Sequence, residues 1–134
     1  MEGVLVVSHG DFGKGLVDSA RFIIGANLSQ LTYCCYEKDD DQGSFHKKIN
    51  EAFNEVDQGD GVIILLDVAA GTCLKEAAML LKEKVEIIAG VNVPLLLEIL
   101  TKRMTGKALD KEELIGKGQQ GMIDVRDYLA HRLN

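Results

Sequence analysis

An open α/β fold, a mostly parallel sheet with helices on both faces, is predicted by three features of this 134-residue sequence. Short apolar runs rich in β-branched residues alternate with segments of helical period. One of those runs, residues 61–67, is apolar from Gly61 to Leu66, as a central parallel strand buried on both faces must be. Strands that alternate with helices need crossover connections, which places them parallel in one sheet.

Residues 4–8, closed by His9 and Gly10, form the first strand, and residues 12–24 then set Phe12, Leu16, Ala20 and Ile23 or Ile24 on one helical face. Leu31–Tyr36 is the second strand. Residues 37–43 follow as a polar loop holding Asp39, Asp40 and Asp41, after which Phe45, Ile49, Ala52, Phe53 and Val56 recur at helical spacing. Beyond the third strand, Thr72 is placed to cap a helix whose core face is Leu74, Ala77, Ala78 and Leu81. Val85–Ala89 is the fourth strand, ended by Gly90, and Pro94 falls in the first turn of a helix running to about Met104. Asp110, Lys111, Glu112 and Glu113 resemble a capping box at the start of another helix. Gly116, Gly118 and Gly121 interrupt it, so residues 122–128 either continue the helix or form an extended edge strand with Ile123 and Val125 on one face. No repeat or proline-rich linker divides the chain, and residues 1–134 read as a single domain.

Composition excludes several classes of function. The 15 basic against 21 acidic residues leave a net charge of −6, with no basic cluster to follow a phosphate backbone, so nucleic acid is not an expected partner. The apolar runs have strand length and fall short of the ~20 residues of a membrane span, and the first residues carry no signal pattern, so the expectation is a soluble cytoplasmic protein. Cys34 and Cys35 are adjacent in a strand and point to opposite faces, which prevents their pairing. With Cys73 and the scattered His9, His46 and His131 they show no zinc spacing, and no metal or cofactor is expected. The glycines around Lys14 lack the spacing and the following hydroxyl of a nucleotide P-loop.

In an open α/β sheet, ligands bind beyond the carboxyl ends of the strands where strand order reverses. With order 2-1-3-4, His9 at the end of the first strand and Asp67 at the end of the third lie side by side. A carboxylate that holds the Nδ1 proton leaves Nε2 unprotonated and outward, a better nucleophile. Helices starting near Phe12 and Cys73 offer free N–H groups to an anion, above all a phosphoryl group, and Gly10, Gly13, Gly15 and Gly71 permit close backbone approach. His46 and His131 read as solvated surface residues, Asp39–41 as a solvated loop, and Cys73 as a small buried apolar residue.

The strand ending Ser8-His9-Gly10, the run Gly61 to Asp67 with Gly71-Thr72, and the segment Ile88 to Glu98 containing Gly90, Asn92 and Pro94 together resemble the enzyme IIA component of the mannose-type family of the bacterial phosphoenolpyruvate:sugar phosphotransferase system (PTS). The resemblance covers nearly the whole chain. It implies that His9 accepts a phosphoryl group from the phosphocarrier HPr and passes it to a histidine of the IIB component, with Asp67 orienting it and Gly10, Gly71 and Thr72 at the phosphoryl group. The family commonly has Gly-Gly-Ser-Pro where this chain has Ala70-Gly71-Thr72-Cys73, so hydroxyl and helix-start roles pass to Thr72 and the proline is lost. The resemblance further implies a homodimer that exchanges residues 122–128 as a strand, a sugar of the mannose family, and the membrane components IIC and IID as indirect partners at the inner face. A phosphotransfer subunit of a PTS-dependent dihydroxyacetone kinase is one alternative. A non-enzymatic flavodoxin-like binding or regulatory module is the other, disfavoured by an aromatic content of 5% with no tryptophan to stack a flavin.

Overall fold

A computed structural model describes residues 1–25 and 27–133. Four parallel strands, β1 (Gly3–His9), β2 (Leu31–Tyr36), β3 (Val62–Leu66) and β4 (Val85–Ala89), form one sheet in the order β2-β1-β3-β4. The crossovers are α1 (Phe12–Ile24), α2 (Gln42–Val56) and α3 (Gly71–Ala78), and α4 (Val93–Met104), α5 (Lys111–Gln120) and α6 (Val125–Leu133) complete the chain. The predicted class and strand order are those observed.

Alternation along the central strands divides the core in two. Val4, Val6, Ile63 and Leu65 face Leu16, Val17 and Ala20 of α1 and Leu96, Ile99 and Leu100 of α4. Leu5, Val7, Ile64 and Leu66 face Phe45, Ile49 and Phe53 of α2 and Cys73 and Ala77 of α3. β1 and β3 are therefore apolar on both faces, and their adjacency puts the strand-order reversal between β1 and the edge strand β2 on one side and β3 on the other. Cys34 joins the second core while Cys35 turns to Ser8 on the opposite face, as alternation requires.

Several local expectations are corrected. The acidic loop is shorter than expected, because Asp41 and Ser44 form a reciprocal capping box that starts α2 at Gln42. Asp40 is not simply solvated: Lys48 Nζ donates to it at 2.7 Å, and that bond, helped by the Glu37 amide, pulls its carboxyl down to about 2. The buried face of α3 is Cys73, Glu76 and Ala77, one position back from the expected stripe, and Leu81 is exposed beyond the helix end. The rotation buries a carboxylate, and His46 of α2 meets it with Nδ1 at 2.7 Å from Glu76 Oε2, so His46 is no free surface residue. Asp110 occupies the N-cap of α5 without a side-chain cap bond, so the expected capping box does not form. Residues 122–124 belong to neither helix nor strand and from Val125 the chain is helical, so of the two alternatives for residues 122–128 the edge strand is not formed among the described residues. His131 is exposed on α6.

At the amino ends of the strands, Arg103 from α4 is buried, and its guanidinium donates to the carbonyls of Glu2 and Gln30 through Nη1 and of Ser29 through Nη2. The fork thereby ties the starts of β1 and β2 to α4. Replacing Arg103 by methionine is expected to lower unfolding free energy by about 2–3 kcal/mol in urea titrations, because buried carbonyls lose their donors. Arg103→Lys is expected to recover only part of it, since a point charge cannot serve three carbonyls.

Candidate functional site

His9 is the last residue of β1 and Asp67 follows β3, so the parallel register of the two strands sets them next to each other at the carboxyl end of the sheet. Asp67 Oδ2 accepts from the backbone N–H of His9 at 2.8 Å and lies 2.9 Å from His9 Nδ1. Its Oδ1 accepts from the Val68 amide at 2.8 Å. Partial burial disfavours the charged carboxylate, but the His9 amide, the His9 ring and the Val68 amide outweigh it and hold the Asp67 carboxyl below its usual range. An ionised Asp67 only accepts, so the neutral imidazole carries its proton on Nδ1 and Nε2 keeps its lone pair.

Nε2 faces the start of α3. A Cβ at Gly71 would lie 3.2 Å from it, and Gly71 has φ +73, so a side chain there would be strained as well as crowded. The N-cap of α3 is Ala70, not Thr72, and no side chain caps the helix among the described residues. Thr72 stands in the first turn, partly buried. The other nearby helix start is already taken: Gly13 N–H donates to the buried Ser8 Oγ at 2.7 Å, and Ser8 Oγ donates to Gly10 O at 2.8 Å. Gly10, at φ +62, turns the chain out of β1 and its N–H goes to Tyr36 O at 2.8 Å. Of the two helix starts expected to face an anion, α3 is the open one.

Three contributors went unassigned in the sequence reading. Tyr36 ends β2 in register with His9 and stacks on its ring, with centroids 6.2 Å apart and planes 9° from parallel, and Phe45 stacks on Tyr36 in turn. The signal available was an aromatic residue closing the strand beside the histidine strand. Ser8 organises the turn beneath His9, and only its burial reveals that. Cys73 is fully buried, as expected, yet its sulfur belongs to the same cluster as His9 and Asp67, with one ligating atom from each within 4.8 Å of the others. Burial, then the nearby Asp67 charge, push its thiol up to about 12. Phe12 and Val68 flank the site and are about half exposed.

Fold and site together define an open parallel α/β protein with a carboxylate-oriented histidine at its strand-order reversal. A family model described as PTS system fructose IIA component matches residues 3–114, and the chain belongs to that family. It is 30% identical over 105 residues to the PTS system fructose-specific EIIA component of Bacillus subtilis (strain 168), covering 77% of this chain and 71% of that protein. The PTS system mannose-specific EIIAB component of Escherichia coli (strain K12) is 26% identical over 110 residues, covering 81% of this chain but only 34% of that protein. Against that relative the chain spans about a third of the length. A solved PTS IIA protein associated with the fucose utilization operon from Streptococcus pneumoniae superposes with a TM-score of 0.84 at 25% identity, covering 96% of both chains. The mannose/sorbose specific IIA subunit from Enterococcus faecalis shares the fold, with a TM-score of 0.73 at 17% identity over 92% of this chain and 93% of that one.

Two measurements test this geometry. Gly71→Ala is expected to leave the fold intact but displace the His9 ring, read as a loss of the Nδ1–H tautomer in nitrogen NMR of the labelled imidazole. Because the folded state holds Asp67 below its unfolded pKa, its contribution to stability is complete above the unfolded value near 4 and is lost as pH falls through the folded one. The stability difference between wild type and Asp67→Asn, from urea midpoints at several pH values, should therefore shrink in acid.

Proposed function

We propose that the chain is a phosphoryl carrier of a sugar phosphotransferase system, accepting the group from phospho-HPr on His9 Nε2 and passing it to a histidine of a IIB component during uptake of a mannose-family sugar. The observation that carries this reading is the 2.9 Å approach of His9 Nδ1 to Asp67 Oδ2, which leaves Nε2 unprotonated in front of an uncapped helix start. The Nε2 lone pair attacks the phosphorus of the incoming phosphohistidine, the donor's P–N bond breaks, and its electron pair returns to the donor imidazole. Transfer to IIB is the same displacement in the other direction. Neither step needs a nucleotide, and what the site contributes is alignment and donors for the phosphoryl oxygens. Gly71 and Thr72 stand nearest to where those oxygens would lie, while Gly10 shapes the turn. Tyr36 stands beside the imidazole, its ring near-parallel to it with centroids 6.2 Å apart.

Phe12, Val68, Ala69 and Ala70 make a shallow apolar rim around His9, suited to docking a protein rather than enclosing a small substrate. The working unit in this reading is a cytoplasmic homodimer of single-domain chains, brought to the inner face of the membrane through IIB, IIC and IID. Met122, Ile123, Val125 and Leu129 are exposed apolar residues at the end of the chain, a surface that a second copy would cover. No helix of the described residues is long and apolar enough to cross a membrane.

Incubation with phosphoenolpyruvate, enzyme I and HPr is expected to add one acid-labile, base-stable phosphoryl group per chain, absent in His9→Ala. Labelling retained in His9→Ala overturns the assignment. Asp67→Asn should slow acceptance by about tenfold or more while the fold persists, because the amide no longer selects the Nδ1–H tautomer. Sedimentation at micromolar concentration should give a dimer mass, and a monomer with full activity refutes the dimer.

A further inference from the structure

We infer that His9, Asp67 and Cys73 also form a site for a soft divalent cation, best matched by zinc, whose binding competes with phosphorylation. One ligating atom of each residue lies within 4.8 Å of the other two, and the closest pair, His9 Nδ1 and Asp67 Oδ2, is already at 2.9 Å. Imidazole nitrogen, carboxylate oxygen and thiolate sulfur make a donor set that zinc accepts, with water completing a tetrahedron. Zinc bonds of ~2.0–2.3 Å set ligand atoms roughly 3.3–3.8 Å apart, so closing the cluster takes a movement of about an ångström. The means for that movement are present. The His9 side chain is 47% exposed, which gives the ion a path in, and Gly71 keeps the space beside the ring free of a side chain. Cys73 forms the buried wall, and its sulfur selects zinc or cadmium over magnesium or calcium, which prefer oxygen alone.

Binding exchanges protons for metal: the Cys73 thiol loses its proton as the S–Zn bond forms, and water carries the proton away. The nitrogen that serves is Nδ1, which lies beside Asp67 Oδ2, and its ligation opposes phosphorylation. The ion displaces the Nδ1 proton, which passes through water to Nε2 and occupies the lone pair that would attack phosphorus. The residues come from the ends of β1 and β3 and from α3, so no ligand spacing in the sequence announces the site. The competition rests on the phosphoryl-carrier reading of His9, whereas the binding does not.

The test is zinc titration of the metal-free chain by calorimetry, with cadmium as an optical probe of thiolate ligation. One ion per chain is expected, with a cadmium–thiolate absorption band in the wild type. Cys73→Ala should remove that band, and Cys73→Ala and His9→Ala should each weaken zinc binding by about tenfold or more. His9 lies at the surface, so His9→Ala keeps the test valid if the cysteine variant fails to fold. Wild-type affinity in His9→Ala, or a wild type without the cadmium band, overturns the site. Preformed phospho-HPr is then offered with and without saturating zinc. Acceptance that falls with zinc and returns with a chelator is expected, and equal acceptance overturns the competition. A chain that binds zinc through these residues but takes no phosphoryl group when metal-free refutes the carrier reading alone.

Discussion

The Asp67 carboxylate takes both the backbone N–H and the ring Nδ1 of His9 on one oxygen, at 2.8 and 2.9 Å, and the geometry of the site depends on that double grip. The backbone bond fixes where β1 ends relative to β3, and the ring bond fixes tautomer and direction together. A single carboxylate can do both only because two parallel strands are immediate neighbours and end within two residues of each other in register. That adjacency follows from the order β2-β1-β3-β4, in which β1 and β3 are the two central strands. The apolar residues that bury both faces of these strands thus set the position of a polar pair some distance above them.

The same logic governs the elements around the pair. α3 begins where Nε2 points, and its register is set by burial of Cys73, Glu76 and Ala77 rather than by its more apolar stripe. A buried carboxylate at Glu76 is tolerated because His46 reaches it across the α2–α3 interface. This ties the helix that opens the site to the helix that backs the His9–Tyr36–Phe45 stack. On the other face, Ser8 holds the first turn of α1 and leaves the α3 start as the open set of donors.

The sheet edges are treated differently. On β2, the carbonyls of Leu31 and Cys35 are covered by Arg21 and Lys48, which discourages another strand from pairing there. Exposed apolar residues are scattered over the chain, and Met122, Ile123, Val125, Tyr128 and Leu129 bring several of them into the segment after α5.

Fold class was legible in the sequence because it follows from patterns with a short range, apolar runs of strand length and helical spacing between them, and a polar residue at the end of each central strand gave the His9–Asp67 pair once the order 2-1-3-4 was taken. What the sequence left undecided was set by contacts between segments far apart. Nothing local tells that α3 buries Glu76, since the reason is His46 thirty residues earlier. Tyr36 stacks on His9 because of strand register, and Cys73 meets His9 and Asp67 because α3 starts under Nε2. Residues 122–128 were balanced between helix and strand by the glycines at 116, 118 and 121 before them and by their own β-branched Ile123 and Val125, and the chain takes helix from Val125 onward. Periodicity reports which face of an element is apolar, and only packing decides which atoms of different elements come within bonding distance.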